Sequence, residues 1–342
     1  MMRAFEVREA GGPLVLVERA IPVPEAGEVL VDVAACGVCH SDSITMLGHM
    51  PGITYPRVPG HEVIGTVAAL GAGVEGFDVG QRVGVGWNSG TCGWCGECRR
   101  GNGFACENIQ DVTGVYRDGG YATHLVARAS ALARIPEELE ALDSAPLLCA
   151  GITTFNALRN CGAGPGDLVV VHGVGGLGHL AIQYAARMGF RTVAVNRGTD
   201  KEELAYELGA DDYLDSEDGD IAATLTAMGG AKAIIATVVN ADAMAKIAGG
   251  LGPNGVLMVI GAVGAFPIDP LDLLMKRAAI RGWYSGLAAD SEDALEFSAL
   301  TGVESMNEVF AFEDAQAAYD RMMSGQARFR VVIDVAGESA DD

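Results

Sequence analysis

Two textures of apolar and polar positions divide this chain. Through the first 150 residues the apolar positions come in short runs rich in Val and Gly. Glu28-Val29-Leu30-Val31-Asp32-Val33, entered from the turn residue Gly27, reads as a strand, and so does Val63 to Val67. An antiparallel β domain carrying loops is therefore expected over 1–150. From about Gly151 the pattern changes. Apolar strands at Leu168 to Val171, Thr192 to Val195, Ala233 to Thr237 and Val256 to Ile260 alternate with helical stretches such as Leu177 to Met188 and Lys201 to Leu208. That alternation predicts a doubly wound parallel sheet over 151–289, and an α/β class for the chain. The tail, Phe312 to Val335, reads as a helix and then a strand returning to the first domain, so 290–342 is expected to complete it.

One strand-to-helix junction carries chemistry. Leu168-Val169-Val170-Val171-His172 runs into Gly173-Val174-Gly175-Gly176-Leu177-Gly178, and a helical pattern follows at once. Gly-x-Gly-x-x-Gly alone is a common turn, but between a strand and a helix it is a dinucleotide fingerprint. The first Gly makes the tight turn, the second lets backbone approach a pyrophosphate, and the third lets helix and strand pack closely. The next strand ends at Val195-Asn196-Arg197-Gly198, with Lys201 one helical turn further. A carboxylate at this place would hold the ribose 2′-OH of NAD and repel a 2′-phosphate. An amide beside a guanidinium accepts that phosphate, so NADP is favoured over NAD.

Length and charge narrow the field. A chain of 342 residues suits two domains. Its 45 acids against 23 bases leave a net charge of −22, and only four of the bases are Lys. Such a field repels phosphate backbones and anionic lipid, so neither nucleic acid nor membrane is expected as a partner. Acids in place of lysines suit a halophilic surface, since molar salt screens their repulsion within about 3 Å. No apolar stretch approaches bilayer-crossing length, and Met1 to Ala20 has no apolar signal core. A cytoplasmic address is expected, where cysteines bind metal or do chemistry more often than they pair.

Half of the eight cysteines crowd into one loop. Cys92, Cys95 and Cys98 read Cys-Gly-Trp-Cys-Gly-Glu-Cys, and Cys106 follows eight positions on. Four thiolates so spaced close a tetrahedral cage around one zinc and leave no open position, the mark of a structural site. Cys39 and His61, on loops of the β domain, and Cys149, at the domain junction, offer the Cys₂His set of an open zinc site, although spacing alone does not select them. Cys36 and Cys161 read as small core residues.

The segments Cys36-Gly37-Val38-Cys39-His40-Ser41-Asp42 and Gly60-His61-Glu62-Val63-Ile64-Gly65, the four-Cys loop and the glycine loop follow one another in the order found in the medium-chain, zinc-dependent alcohol dehydrogenases. The chain resembles that family over essentially its whole length, most closely the bacterial and yeast-like branch. The resemblance implies a GroES-like catalytic domain and a Rossmann domain, with reversible hydride transfer between a primary or secondary alcohol and NAD(P). It further implies two zincs per chain, a small alcohol, aldehyde or ketone as substrate, and a homo-oligomer, dimer or tetramer, with an exposed strand near Val256 to Val263 available to pair.

By position, the resemblance assigns Cys39, His61 and Cys149 to the catalytic zinc, and Cys92, Cys95, Cys98 and Cys106 to the structural one. Asp42 falls on the free nitrogen of His61, and Glu62 behind the metal. His40 and Arg330 match pyrophosphate contacts, Thr153 a position near the nicotinamide, and Ser41 the hydroxyl that takes the alcohol proton. Many relatives end this relay in a His three residues further on. Here that residue is Ile44, which carries no proton, so the exit is water or another group such as His49. Trp87 matches a pocket aromatic, and Met50 stands where several of those enzymes have Trp, which implies a roomier pocket. Among the alternatives, a zinc-dependent polyol or sugar dehydrogenase commonly carries Glu in place of Cys149, and a metal-free quinone reductase lacks both cysteine sets. A non-catalytic zinc-binding interaction protein has no need of the glycine loop.

Overall fold

The computed structural model describes residues 1–337. Residues 338–342, the end of the stretch expected to complete the first domain, lie outside them. One unit comprises Met1–Ile152 and the chain from Gly286 onward; the other is Thr153–Ser285.

The first unit opens with a hairpin of β1 (Met2–Val7) and β2 (Leu14–Arg19). Its main sheet begins with β3 (Glu28–Val38) and β4 (Val63–Leu70), both longer than the runs that predict them, and takes in β5 (Arg82–Val85), β6 (His124–Arg128) and β7 (Leu132–Arg134). These strands pair antiparallel around a core that includes Val29, Val31, Val63, Val67, Val83 and Tyr121.

The second unit holds β8 (Leu168–His172), β9 (Arg191–Asn196), β10 (Asp212–Asp215), β11 (Ala231–Ala236), β12 (Leu251–Val259) and β13 (Ala279–Gly282). Every neighbouring pair is parallel, in the order β10-β9-β8-β11-β12-β13. Every residue of β8 is buried, which explains why these strands show continuous apolar runs and no alternation. Strand order reverses between β8 and β11, the switch point beside which open α/β sheets bind ligands. The glycine loop leaves the carboxyl end of β8 at that point and enters the helix Gly178–Arg187. One expectation is corrected here. The strand near Val256 to Val263 is no exposed edge, because β12 pairs with β11 on one side and β13 on the other. The edge on that side is β13, all of whose residues are exposed.

The chain then returns to the first sheet with β14 (Asn307–Ala311) and β15 (Arg330–Asp334), giving the order β14-β15-β3-β4-β5-β7, with β6 also paired to β3. β15 runs antiparallel to β3 but parallel to β14, because the helix Ala315–Met323 carries the chain back between them. The sheet is mixed at that edge. Among the described residues no helix is long and apolar enough to cross a membrane.

Candidate metal and dinucleotide sites

The ladder between β3 and β4 builds the first site. Its register sets Cys36 opposite Val63, so the residues just past the paired ends, Cys39 on one strand and His61-Glu62 on the other, come together. Cys149 completes the group, its Sγ 3.8 Å from that of Cys39. The ligand atoms of Cys39, His61, Glu62 and Cys149 all lie within 4.8 Å of one another. Gly37 makes room for this: a Cβ there would stand 1.9 Å from Glu62 Oε2.

Asp42 fixes the imidazole. It is 3 % exposed, and its Oδ1 faces His61 Nδ1 at 2.9 Å. Its Oδ2 accepts from the Cys39 backbone N–H and from Tyr121 Oη, each at 2.9 Å. A carboxylate can only accept, so Nδ1 carries the ring proton and Nε2 presents its lone pair. That Nε2 is buried without a protein partner, as is Glu62 Oε2. Leaving a buried acceptor unpaired costs about 1–3 kcal/mol. Two thiols and an orphaned imidazole nitrogen are the donor set that zinc would satisfy. Nothing in the sequence marks Tyr121, an aromatic after Gly119-Gly120 that reads as core.

The electrostatics suit a cation. The neighbouring Cys149 thiol holds Cys39 well below its usual range, against the cost of burial and with help from His61 and Arg330. Burial pushes the Glu62 carboxyl up to about 7, although Arg330 pulls the other way. Burial opposes charge on His61 too, but Asp42 and Cys39 outweigh it and raise its pKa, so Nε2 favours a positive partner, a proton or a metal ion.

The other candidates around this site divide. Arg330, which the resemblance assigns to the cofactor phosphates, is 6 % exposed, and its Nη2 is bonded to Glu62 Oε1. His40 is exposed and Ser41 half-buried; His49 is exposed, its backbone N–H donating to Ile44 O at 2.9 Å. Trp87 stands edge-on to the His61 ring, centroids 4.9 Å apart and planes at 86°. Met50 is half-buried, and Cys36 and Cys161 are buried.

The four-Cys loop forms a second group, with all four Sγ atoms within 4.8 Å of one another. The short helix Gly96–Arg99 sits inside it, capped by Cys95, whose sulfur accepts from Cys98 N–H at 3.4 Å. Further N–H···S bonds reach Cys92 from Cys95 at 3.3 Å and Cys106 from Ile109 at 3.3 Å. Asn108 Nδ2 lies 3.2 Å from the Cys92 sulfur. Donors aimed at sulfur favour thiolates, and a closed thiolate cage fits a structural zinc. Cys98→Ser should therefore cost the protein one zinc and lower its thermal midpoint by roughly 5–10 °C. Calorimetry with metal analysis checks this; an unchanged midpoint in protein lacking that zinc would deny the cage a stabilising role.

In the second unit the three glycines of the fingerprint separate by geometry. Gly173 has φ +102°, and a Cβ on it would meet Thr237 Oγ1 and Val238 Cγ2, both at 2.7 Å. Gly175 faces open space, with nothing within 4 Å of the added carbon. On Gly178 that carbon would stand 1.8 Å from Gly173 O. Turn, open space and close packing thus fall on the first, second and third glycine, with Gly176 and Leu177 half-buried between the last two. At the end of β9, Asn196 Oδ1 accepts from Val174 N–H at 3.2 Å, while Arg197 is exposed. Lys201 Nζ bonds Val174 O, so it braces the loop. Thr153 Oγ1 accepts from the Ser285 N–H at 3.0 Å.

Comparison with known proteins shows the family. Residues 25–137 match the alcohol dehydrogenase GroES-like domain and residues 176–301 the zinc-binding dehydrogenase domain. The alcohol dehydrogenase notN of Aspergillus sp. (strain MF297-2) is 43 % identical, over 95 % of this chain and 96 % of its own. An alcohol dehydrogenase of Geobacillus stearothermophilus is 38 % identical, over 98 % of this chain and 100 % of its own. Among solved structures, a cinnamyl alcohol dehydrogenase of Sorghum bicolor superimposes with a TM-score of 0.86 at 30 % identity, covering 100 % of both chains.

Proposed function

The chain belongs to the zinc-dependent medium-chain alcohol dehydrogenases, and from that membership we propose that it moves a hydride reversibly between a primary or secondary alcohol and NADP in preference to NAD. It is an oxidoreductase. The observation that carries the reading is the buried, unpartnered His61 Nε2 beside the paired Cys39 and Cys149 sulfurs. A zinc held by these three would supply Lewis-acid polarisation of an alcohol or carbonyl oxygen. The chain's own residues do the rest. Asp42 orients the imidazole, and Arg330 holds Glu62 behind the cluster. Ser41 Oγ takes the alcohol proton, and Ile44 passes none on, so the proton leaves by water. His40 and the glycine loop take the cofactor phosphates, with Thr153 near the nicotinamide.

Trp87, edge-on to His61, limits the substrate on one side, and Met50 admits alcohols larger than ethanol. An oligomer, dimer or tetramer, would bury the exposed edge β13. The excess of acids over bases supports a working range at high salt.

The test is formation of reduced nicotinamide by zinc-replete protein, at low and molar salt, with NADP or NAD and a panel of primary, secondary and aromatic alcohols. Chelator-sensitive turnover that prefers NADP supports the reading; turnover that prefers NAD overturns the cofactor half alone. The cofactor half has a sharper test in Asn196→Asp. The carboxylate still accepts from Val174 N–H, so the loop keeps its bond, but it repels a 2′-phosphate. kcat/KM with NADP should fall about ten- to a hundredfold, the worth of a charge-assisted contact, while that with NAD holds or rises. An equal effect on both cofactors would mean that Asn196 does not face the 2′ position.

A further inference from the structure

We propose that Tyr121 is a positioning residue for the catalytic metal, acting through its hydrogen bond to Asp42; this rests on the metal reading of Cys39, His61 and Cys149. The phenol is fully buried, at 0 % exposure, and its Oη donates to Asp42 Oδ2 at 2.9 Å. The same oxygen accepts from the Cys39 N–H at 2.9 Å, and the other, Oδ1, faces His61 Nδ1 at 2.9 Å. One carboxylate therefore touches two ligands, one through its backbone and one through its ring. Two donors on Oδ2 set the rotation of the carboxylate, and that rotation aims Oδ1 at the imidazole. Without the phenol, Oδ2 keeps one donor and the group is free to turn.

The ring itself is held firmly. A Cβ on Gly60, which has φ +100°, would lie 2.6 Å from Tyr121 Cδ1 and 2.8 Å from Cys36 Sγ. A Cβ on the adjacent Gly120 would stand 2.3 Å from Val63 Cγ2. The Gly60 backbone thus closes on the aromatic ring, and Gly120 packs against Val63 and Cys36 beside it. Phe would fill the same space, so the hydroxyl is the only part that reaches the ligand set. Burial and the Asp42 charge raise the phenol well above its ordinary pKa, which keeps it a donor.

The experiment compares zinc-loaded wild type and Tyr121→Phe for metal release to a chromogenic chelator, and for the visible spectrum after cobalt substitution at the open site. Release of one of the two metals should accelerate about tenfold, the lower range for losing an outer partner of a ligand, while the other keeps its rate. The cobalt bands should shift, and kcat should fall with KM for the alcohol nearly unchanged. In an Asp42→Asn background, Tyr121→Phe should add nothing, because the link it acts through is already broken. Unchanged release and spectrum in Tyr121→Phe, or an equal added effect in the Asp42→Asn background, would overturn the proposal and leave Tyr121 a packing residue. Wild type that binds a single zinc would instead overturn the metal reading itself. Should Tyr121→Phe misfold, Tyr121→Trp and Tyr121→Met, read by the same release rates, keep the question open to refutation.

Discussion

Cys39→Ser is expected to abolish turnover while the protein stays folded and keeps one zinc of two. The substitution exchanges a sulfur for an oxygen in a side chain of the same shape. Its backbone N–H still donates to Asp42 Oδ2, so the turn after β3 survives. What goes is a thiol held well below its usual pKa beside Cys149. A serine hydroxyl does not ionise near neutrality and is a poor zinc ligand. Losing an outer partner of a ligand costs about 10- to 100-fold, and losing the ligand should exceed the top of that range in kcat/KM. Cofactor affinity should hold, because the glycine loop belongs to the second unit. Metal analysis, titration with reduced cofactor and steady-state rates together decide the matter. Activity within tenfold of wild type would refute the zinc assignment outright.

How much of this was legible depended on how local each feature is. Cys92, Cys95, Cys98 and Cys106 share one loop, so their spacing alone announces the cage. The glycine loop is equally local, and the strand before it identifies it. Cys39, His61 and Cys149 are brought together by the β3–β4 ladder, which no spacing rule encodes. Only the resemblance picked them out. The Glu62–Arg330 pair is less legible still, because it joins the segment before β4 to a strand that arrives near the end of the chain. The resemblance assigns Arg330 to the cofactor phosphates, and the sequence offers no sign that a buried acid awaits it. Tyr121 fails for the opposite reason: an aromatic among glycines and apolar residues reads as core, and core it is, except for one hydroxyl. Edge and interior strands also look alike in an apolar pattern, so β12 passed for an edge that β13 supplies.

Gly178→Ala is expected to separate the fold's need for a glycine from the ligand's. Gly178 opens the helix Gly178–Arg187, and an added Cβ would stand 1.8 Å from Gly173 O and 2.8 Å from Gly173 C. Both are backbone atoms, so no side chain can swing aside. Gly173 cannot yield easily either. Its N–H donates to Val195 O at 2.7 Å, and His172 O at 2.9 Å and Gly173 O at 3.2 Å share the single proton of Thr237 Oγ1. The helix must therefore lift away from β8, at a cost of about 1–3 kcal/mol by analogy with an overpacked core. Lifting it also moves the first N–H groups of the helix, which would meet a pyrophosphate. Affinity for reduced cofactor should drop at least about tenfold, with a lower thermal midpoint. Gly175→Ala is the counterpart, because nothing in the protein lies within 4 Å of its added carbon. It should leave the midpoint alone and still weaken the cofactor, whose phosphates need that space. If Gly175→Ala binds cofactor like wild type, the open face at Gly175 is not where the pyrophosphate lies. If Gly178→Ala does so, helix-to-strand contact does not set the loop's geometry.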